Sequence, residues 1–249
     1  MTHTAFSTIT RLKQFANSRI GFWLDARGYA ITRKYRVPGG TLNMLEAGLV
    51  MLAGRVERPI RMVQVGAFDG DYVDPAKALI ERGVEAILVE PQPEPAARLV
   101  ERHKENPLVH VENAALALKS GQGTLYRPRG AGASALATLL PERAIEIGPC
   151  EELSVSLVSP SDLLAKYKWS HMNILQIDAE GYDLQLLNQF FASSLYPEIL
   201  NLEFFNLGEA GRKDLATVLS ANGYEWLDWG YDTFAIRRSY MDSLTGITR

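Results

Sequence analysis

Val65-Gly66-Ala67-Phe68-Asp69-Gly70, followed about twenty residues on by Leu88-Val89-Glu90-Pro91, is the pair of segments that decides the fold. The first closes an apolar run from Ile60 to Val65, which only Arg61 and Gln64 interrupt, and it precedes a helix. That order reads as strand, tight glycine turn and helix N-terminus. The second is another apolar strand, Ala86 to Val89, ending in a carboxylate. Glycine lets a ligand approach the backbone closely, and an acid one strand over can accept both hydroxyls of a ribose. Together the two segments predict a nucleoside pocket at the carboxyl ends of adjacent parallel strands.

The interval between turn and acid does not name the ligand, because dinucleotide-binding folds place their acid at the same distance. The turn is more selective. Its glycines stand as Gly66-x-x-x-Gly70, with Phe68 where a further glycine would fall and Asp69 in the bend. An anion there is awkward beside a pyrophosphate, which needs helix N–H groups and no competing charge. It is tolerable beside S-adenosylmethionine, which has no phosphate and carries a sulfonium and an ammonium. A purely structural glycine turn is the bland reading.

With 249 residues and 47% apolar content, the chain has room for one large α/β domain and an appendage. No run reaches the ~18 continuous apolar residues of a membrane span. One cysteine, Cys150, cannot pair internally, which fits a reducing, cytoplasmic compartment and an idle thiol. The net charge of −3 is unevenly spread: residues 1–36 hold seven basic groups against the single acid Asp25. A solvated helix face is the simplest reading, a weak contact with anionic surfaces the next, and a transit segment the third.

Phe6, Ile9, Leu12, Ala16, Ile20 and Trp23 recur at helical spacing. Pro38-Gly39-Gly40 then breaks the chain, and Thr41 can cap a second helix through Leu42, Leu45, Leu49 and Leu52. Residues 1–58 therefore read as a helical N-terminal extension and residues 59–249 as the main domain. From Ile60 onward strands and helices alternate, with Asp74-Pro75 and Ser159-Pro160 as helix starts. Residues 119–150 read as irregular, apart from a short strand near Thr124 to Tyr126. Tyr224–Leu227 and Thr233–Arg237 form a closing pair of strands joined by the turn Asp228 to Asp232. The predicted fold is a doubly wound, mainly parallel Rossmann-like α/β sheet with a C-terminal antiparallel hairpin.

This order resembles class I S-adenosylmethionine-dependent methyltransferases, and more narrowly the FkbM family. The residues that carry the likeness are the two opening segments, Asn113-Ala114-Ala115-Leu116, and Leu175-Gln176-Ile177-Asp178-Ala179-Glu180-Gly181-Tyr182-Asp183. Asn201-Leu202-Glu203-Phe204 resembles the acid-tipped fifth strand of the family. The likeness spans roughly residues 60–238. The family turn usually starts with an acid where this chain has Gln64, and usually has asparagine where Phe68 stands. An acid at the first place would engage the methionine ammonium, so Gln64 does this as a neutral acceptor or leaves it to another group.

The resemblance implies S-adenosylmethionine as cofactor, contacted by Gln64, Gly66, Ala67, Phe68, Gly70, Glu90, Pro91, Asn113, Ala114 and Asp178. Glu90 would hold the ribose and Asn113 the adenine edge or its own turn. Asp178, Glu180 and Glu203 are the candidate bases, since no histidine is well placed. Asp178, Glu203 and Asn206 could instead offer oxygens to Mg²⁺, but no clear Asp-Asn pair follows the fifth strand, and no metal is expected. Trp226, Trp229 and Tyr231 read as packing. The expected reaction is O-methylation of a small molecule or saccharide hydroxyl, with homo-oligomerisation open. A nicotinamide-dependent oxidoreductase is the alternative, weakened because no tyrosine has lysine four residues later. A non-catalytic nucleoside-binding module is the other. Nucleic acid is not expected as partner, given the acidic main domain and the lack of an Asn-Pro-Pro-Tyr segment.

Overall fold

The computed structural model describes residues 44–53, 56, 59–70, 74, 76–129, 133–229 and 231–245. The first expected helix, the basic residues of 1–36, the Pro38-Gly39-Gly40 break and the Thr41 cap lie outside the described residues. Among the described residues, no helix is long and apolar enough to cross a membrane.

The first helix is α1 (Met44–Leu52), and the alternation begins with β1 (Arg61–Val65), α2 (Lys77–Glu81), β2 (Glu85–Val89), α3 (Pro93–His103) and β3 (Val109–Glu112). An excursion follows: β4 (Ala115–Leu116), β5 (Gly121–Pro128), a 3₁₀ turn at Ala133–Leu136, α4 (Pro141–Ile147) and β6 (Cys150–Val158). The chain then returns through α5 (Pro160–Lys166), β7 (Ile174–Ile177), α6 (Asp183–Ala192) and β8 (Ile199–Glu203). After a 3₁₀ turn at Phe205–Leu207 come α7 (Gly208–Ala221), β9 (Tyr224–Trp229), β10 (Asp232–Arg237) and α8 (Arg238–Thr245).

Seven strands make the main sheet, in the order β3-β2-β1-β7-β8-β10-β9. Neighbours from β3 to β8 run parallel, and β10 and β9 are antiparallel. This is the doubly wound sheet with a closing hairpin that the sequence predicts. The chain winds outward from β1 to β3, then restarts on the other side of β1 with β7. That reversal opens a crevice beyond the carboxyl ends of β1 and β7, the place where open α/β sheets take their ligands.

Alternating side chains send the strands' apolar residues to two cores, one on each face. On one, Val63, Val65, Leu175, Ile177, Leu200 and Leu202 pack against Leu163 of α5, Leu186 and Phe190 of α6, and Leu215 and Leu219 of α7. On the other, Met62, Leu88, Ile174 and Ile199 pack against Leu45, Leu49 and Leu52 of α1, Leu79 of α2 and Leu99 of α3. Leu45, Leu49 and Leu52 of α1, within the segment that the sequence reads as a helical extension, are thus part of this core. A polar row runs along this second face, since Gln64, Gln176 and Asn201 are register partners on β1, β7 and β8.

Two expectations need correction. Residues 119–150 are not mainly irregular: β5 pairs antiparallel with β6 along its whole length, and β6 pairs with β4, making a second, three-stranded sheet. Its glycine-rich start and exposed faces obscured the alternation that marks a half-buried strand. The closing hairpin is also tighter than expected, because Trp229 and Asp232 are already ladder partners.

Candidate active site

Gly66 N and Ala67 N both donate to Val89 O, at 3.0 and 3.2 Å, so the turn after β1 is stitched to the tip of β2. Gly66 has φ of 77°, and a Cβ there would stand 1.9 Å from the carbonyl oxygen of Asp178. Glycine is therefore required by the approach of β7 to β1, whatever else enters the pocket. Gly70 likewise closes on α3, where a Cβ would lie 2.9 Å from Leu99 Cδ2. Phe68 holds φ of 48°, a strained value for a bulky residue, and Arg98 lies over its ring at 5.9 Å.

Glu90 fastens this bend. Its Oε2 accepts from Phe68 N at 2.9 Å, its Oε1 from Gln92 N at 2.8 Å, and the residue is only 2% exposed. Burial lifts its pKa to about 7 against the opposing pull of those two N–H groups. Each carboxylate oxygen has a second lone-pair direction, so the group keeps acceptor capacity. Asn113 donates its amide to Glu90 O and Pro91 O, at 2.9 and 3.1 Å, and so ties the tip of β3 to that of β2. It bonds the neighbouring loop rather than its own turn. Ala114 is buried behind it. Gln64, 3% exposed, donates to Asp74 Oδ1 at 2.8 Å, while its Oε1 is buried without a partner.

Past the crevice, acids gather at the tips of β7, β8 and β10. Asp178 follows β7, and its backbone N–H donates to Val65 O at 3.1 Å. Water reaches its carboxylate, yet protein crowds it on the remaining sides. That crowding first, then the charges of Glu203 and Asp232, push its pKa to about 7. Glu180, at φ of 50°, is buried with its pKa raised to about 8 by burial and then by Asp178, Glu203 and Asp183. Glu203 is raised to about 7, again with burial as the leading cause. These groups share their protons and titrate as a set.

One amide joins two of them. Asn206 donates to Glu180 Oε2 at 2.9 Å and Glu203 Oε2 at 2.7 Å, while its oxygen accepts from Arg143 of α4 at 2.5 Å. Because that oxygen faces the guanidinium, Asn206 is oriented as a donor to the acids, the wrong way round to share a cation with them. Among the described residues, no group of three His, Cys, Asp or Glu is arranged to hold a metal. Asp183, fully buried, accepts from Ala179 N and Gly181 N at 3.0 Å each and so shapes the loop that carries Asp178 and Glu180. The Asp178 carboxylate has no hydrogen-bond partner among the described residues.

The expected residues thus fall into two neighbouring groups: Gln64, Gly66, Ala67, Phe68, Gly70, Glu90, Pro91, Asn113 and Ala114 at β1–β3, and Asp178, Glu180 and Glu203 at β7–β8. Sequence reasoning gave no role to Arg143, Asp183 or Asp232. Asp183 stands within the quoted Asp178-to-Asp183 block and was within reach; Arg143 lies in a segment without a readable pattern. The packing role expected for Trp226, Trp229 and Tyr231 does not hold, for they are 38%, 47% and 58% exposed. Trp226 and Trp229 lie on β9 at the sheet edge, and Tyr231, just past it, meets the Phe205 ring edge-on at 5.2 Å.

No curated protein matches this chain. Among solved structures, it is similar to an FkbM methyltransferase of Methylobacillus flagellatus KT, at 14% identity and a TM-score of 0.49, covering 74% of this chain and 45% of that one. It therefore spans less than half the length of that protein. A methyltransferase of Geobacter sulfurreducens is similar at 12% identity and a TM-score of 0.42, covering 89% and 97%. An SAH-bound methyltransferase of Podospora anserina is similar at 13% identity and a TM-score of 0.44, covering 93% and 95%. The sequence matches the family described as the methyltransferase FkbM domain over residues 64–229, more than half of its length, and the chain belongs to that family.

Proposed function

We propose that residues 59–249 transfer a methyl group from S-adenosylmethionine to a hydroxyl on a small molecule or saccharide, with Asp178 as the general base. The observation that carries this reading is the free carboxylate of Asp178, at the lip of the β1–β7 crevice, beside acids that Asn206 and backbone N–H groups already hold. Family membership supports S-adenosylmethionine-dependent methylation. The residues also fit that donor: Glu90 has acceptor capacity left for the ribose diol, and Asn113 Oδ1 is open toward an adenine amine. The acid set favours a bound cation electrostatically.

Bound there, S-adenosylmethionine supplies a methyl on a positively charged sulfur, already activated for displacement. The chain's task is alignment and proton transfer. The bend at Gly66 to Gly70 and Glu90 fix one partner, and the acid-lined side receives the other. Holding both in line contributes on the order of 7–11 kcal/mol relative to free encounter. Asp178 would take the proton of the acceptor hydroxyl, to whose oxygen the bound donor would supply the methyl group. A pKa near 7 suits that role at neutral pH.

Two measurements test the reading. Calorimetry with S-adenosylhomocysteine should show binding to the native chain, and its absence would sink the proposal. Labelled S-adenosylmethionine offered with a panel of alcohols, glycosides and amines should mark a hydroxyl; transfer to nitrogen alone would replace the O-methylation reading.

A further inference from the structure

Gln64 is a glutamine in the core face of the central strand, and it is only half satisfied. Its neighbours on that face are Met62, Leu88 and Gln176, and the Gln176 oxygen is taken by Asn201, so no hydrogen bond from these neighbours accounts for a glutamine there. Instead its Nε2 donates to Asp74 Oδ1 at 2.8 Å, and its Oε1 is buried with no partner. A buried acceptor without a donor costs free energy. The arrangement makes sense if the purpose of Gln64 is to hold Asp74.

Asp74 is held for something besides capping. Ala76 N also donates to Oδ1, at 2.9 Å, so that single oxygen takes both hydrogen bonds. Oδ2 has no partner among the described residues. Burial raises the pKa of this carboxyl, with Ala76, Gln64, His103 and Lys77 pulling the other way. Here is a partly buried acid, fixed in position through one oxygen and open through the other. It stands beyond the end of β1, on the face that carries α2 and α3, one strand from Glu90 at the tip of β2.

We infer that Asp74 is the seat for the ammonium group of the cofactor's amino-acid arm, and that Gln64 positions it there. The inference rests on the proposed use of S-adenosylmethionine and adds a residue to it. A compact ammonium with several N–H donors is the chemistry that an open carboxylate oxygen recognises. The nucleoside and its amino-acid arm then lie across the tips of two adjacent strands, Glu90 serving one part and Asp74 the other. The negative charge that Gln64 lacks is supplied from the loop after the strand.

Two ligands separate this from a general effect on the pocket. S-adenosylhomocysteine carries the ammonium, and 5′-methylthioadenosine has the same nucleoside without the amino-acid arm. In calorimetry on the full chain, Asp74→Asn should weaken S-adenosylhomocysteine about ten- to a hundredfold, the scale of one charge-assisted hydrogen bond, and leave 5′-methylthioadenosine unchanged. Unchanged 5′-methylthioadenosine affinity also certifies that the variant is folded. Asp74→Ser, which keeps an acceptor for Ala76 N, should give the same split. Equal loss for both ligands, or undiminished binding of S-adenosylhomocysteine, would overturn the assignment. If the native chain binds neither ligand, the cofactor reading itself fails; if it binds both and the split is absent, only the role of Asp74 does.

Discussion

At the tips of β1 and β2 the acid is held by backbone: Glu90 accepts one N–H on each oxygen. At the tips of β7 and β8, acids face other acids, and Asn206 divides its amide between two of them. Both groups have raised pKa values, but for different reasons. Burial opposes the charge of Glu90 while its hydrogen bonds support it. At Asp178 burial and neighbouring charges act in the same direction. In one half hydrogen bonds offset the cost of burying the charge, and in the other nothing comparable opposes it at Asp178. Under the proposed function this difference separates a group that grips the donor from one that accepts a proton, across the single boundary between β1 and β7.

The largest expected effect breaks the second half alone. Asp178→Asn should lower the methylation rate by about 10²–10⁴-fold, the usual contribution of a placed base, while calorimetric affinity for S-adenosylhomocysteine changes little. A variant that lost affinity and kept its rate would reverse the roles assigned to the two halves. Gly66→Ala attacks the seam between them. A Cβ 1.9 Å from Asp178 O, at φ of 77°, must push β7 from β1. Urea denaturation should report a loss of about 3 kcal/mol or more. Glu90→Ala should weaken S-adenosylhomocysteine by about 1–3 kcal/mol in calorimetry. Unchanged affinity would show that Glu90 serves the bend and not the ligand.

Smaller effects sharpen the contrast. Asn206 donates to Glu203 and lowers its pKa; in Asn206→Ala, Glu203 keeps its proton to higher pH and presses less on Asp178, so the acidic limb of the pH–rate profile should move downward. A profile that stays put would detach the Asn206 pair from the working acid. The acids also predict how stability follows pH. Asp178, Glu180, Asp183 and Glu203 all bind protons more readily folded than unfolded. Their contribution is complete below the unfolded carboxylate range and is lost as pH rises through the folded values. The denaturation midpoint should thus fall between about pH 5 and about pH 8, and a rising midpoint would contradict the shifts.

The sequence was most informative where one strand meets one turn. The Gly66–Gly70 bend, the acid at Glu90 and the Asp178–Glu180 loop each depend on residues a few positions apart, and periodicity places their strands. What stayed hidden depends on distance in sequence. Nothing local says that Arg143 reaches Asn206, since the first lies inside the excursion and the second past β8, 63 residues on. The β5–β6 ladder was missed because both faces are largely exposed, which removes the alternation a buried face would impose. Gly66 was read as making room for a ligand, and its need for space against Asp178 O could only come from the folded backbone. Asp74 looked like a helix start and is one in part, but the oxygen it leaves open is a tertiary fact.

The small sheet does more than fill a connection. Tyr126 and Thr138 pair across it, Thr138 Oγ1 donates to Glu180 O at 3.2 Å, and α4 delivers Arg143 to the acids. The first residue of this excursion, Asn113, fastens Glu90 O, so the excursion is anchored at both groups of residues. Exchanging β4 to β6 while keeping Asn113 and Ala114 should therefore disturb the acids at β7 and β8 and leave the bend at Gly66 and Glu90 in place.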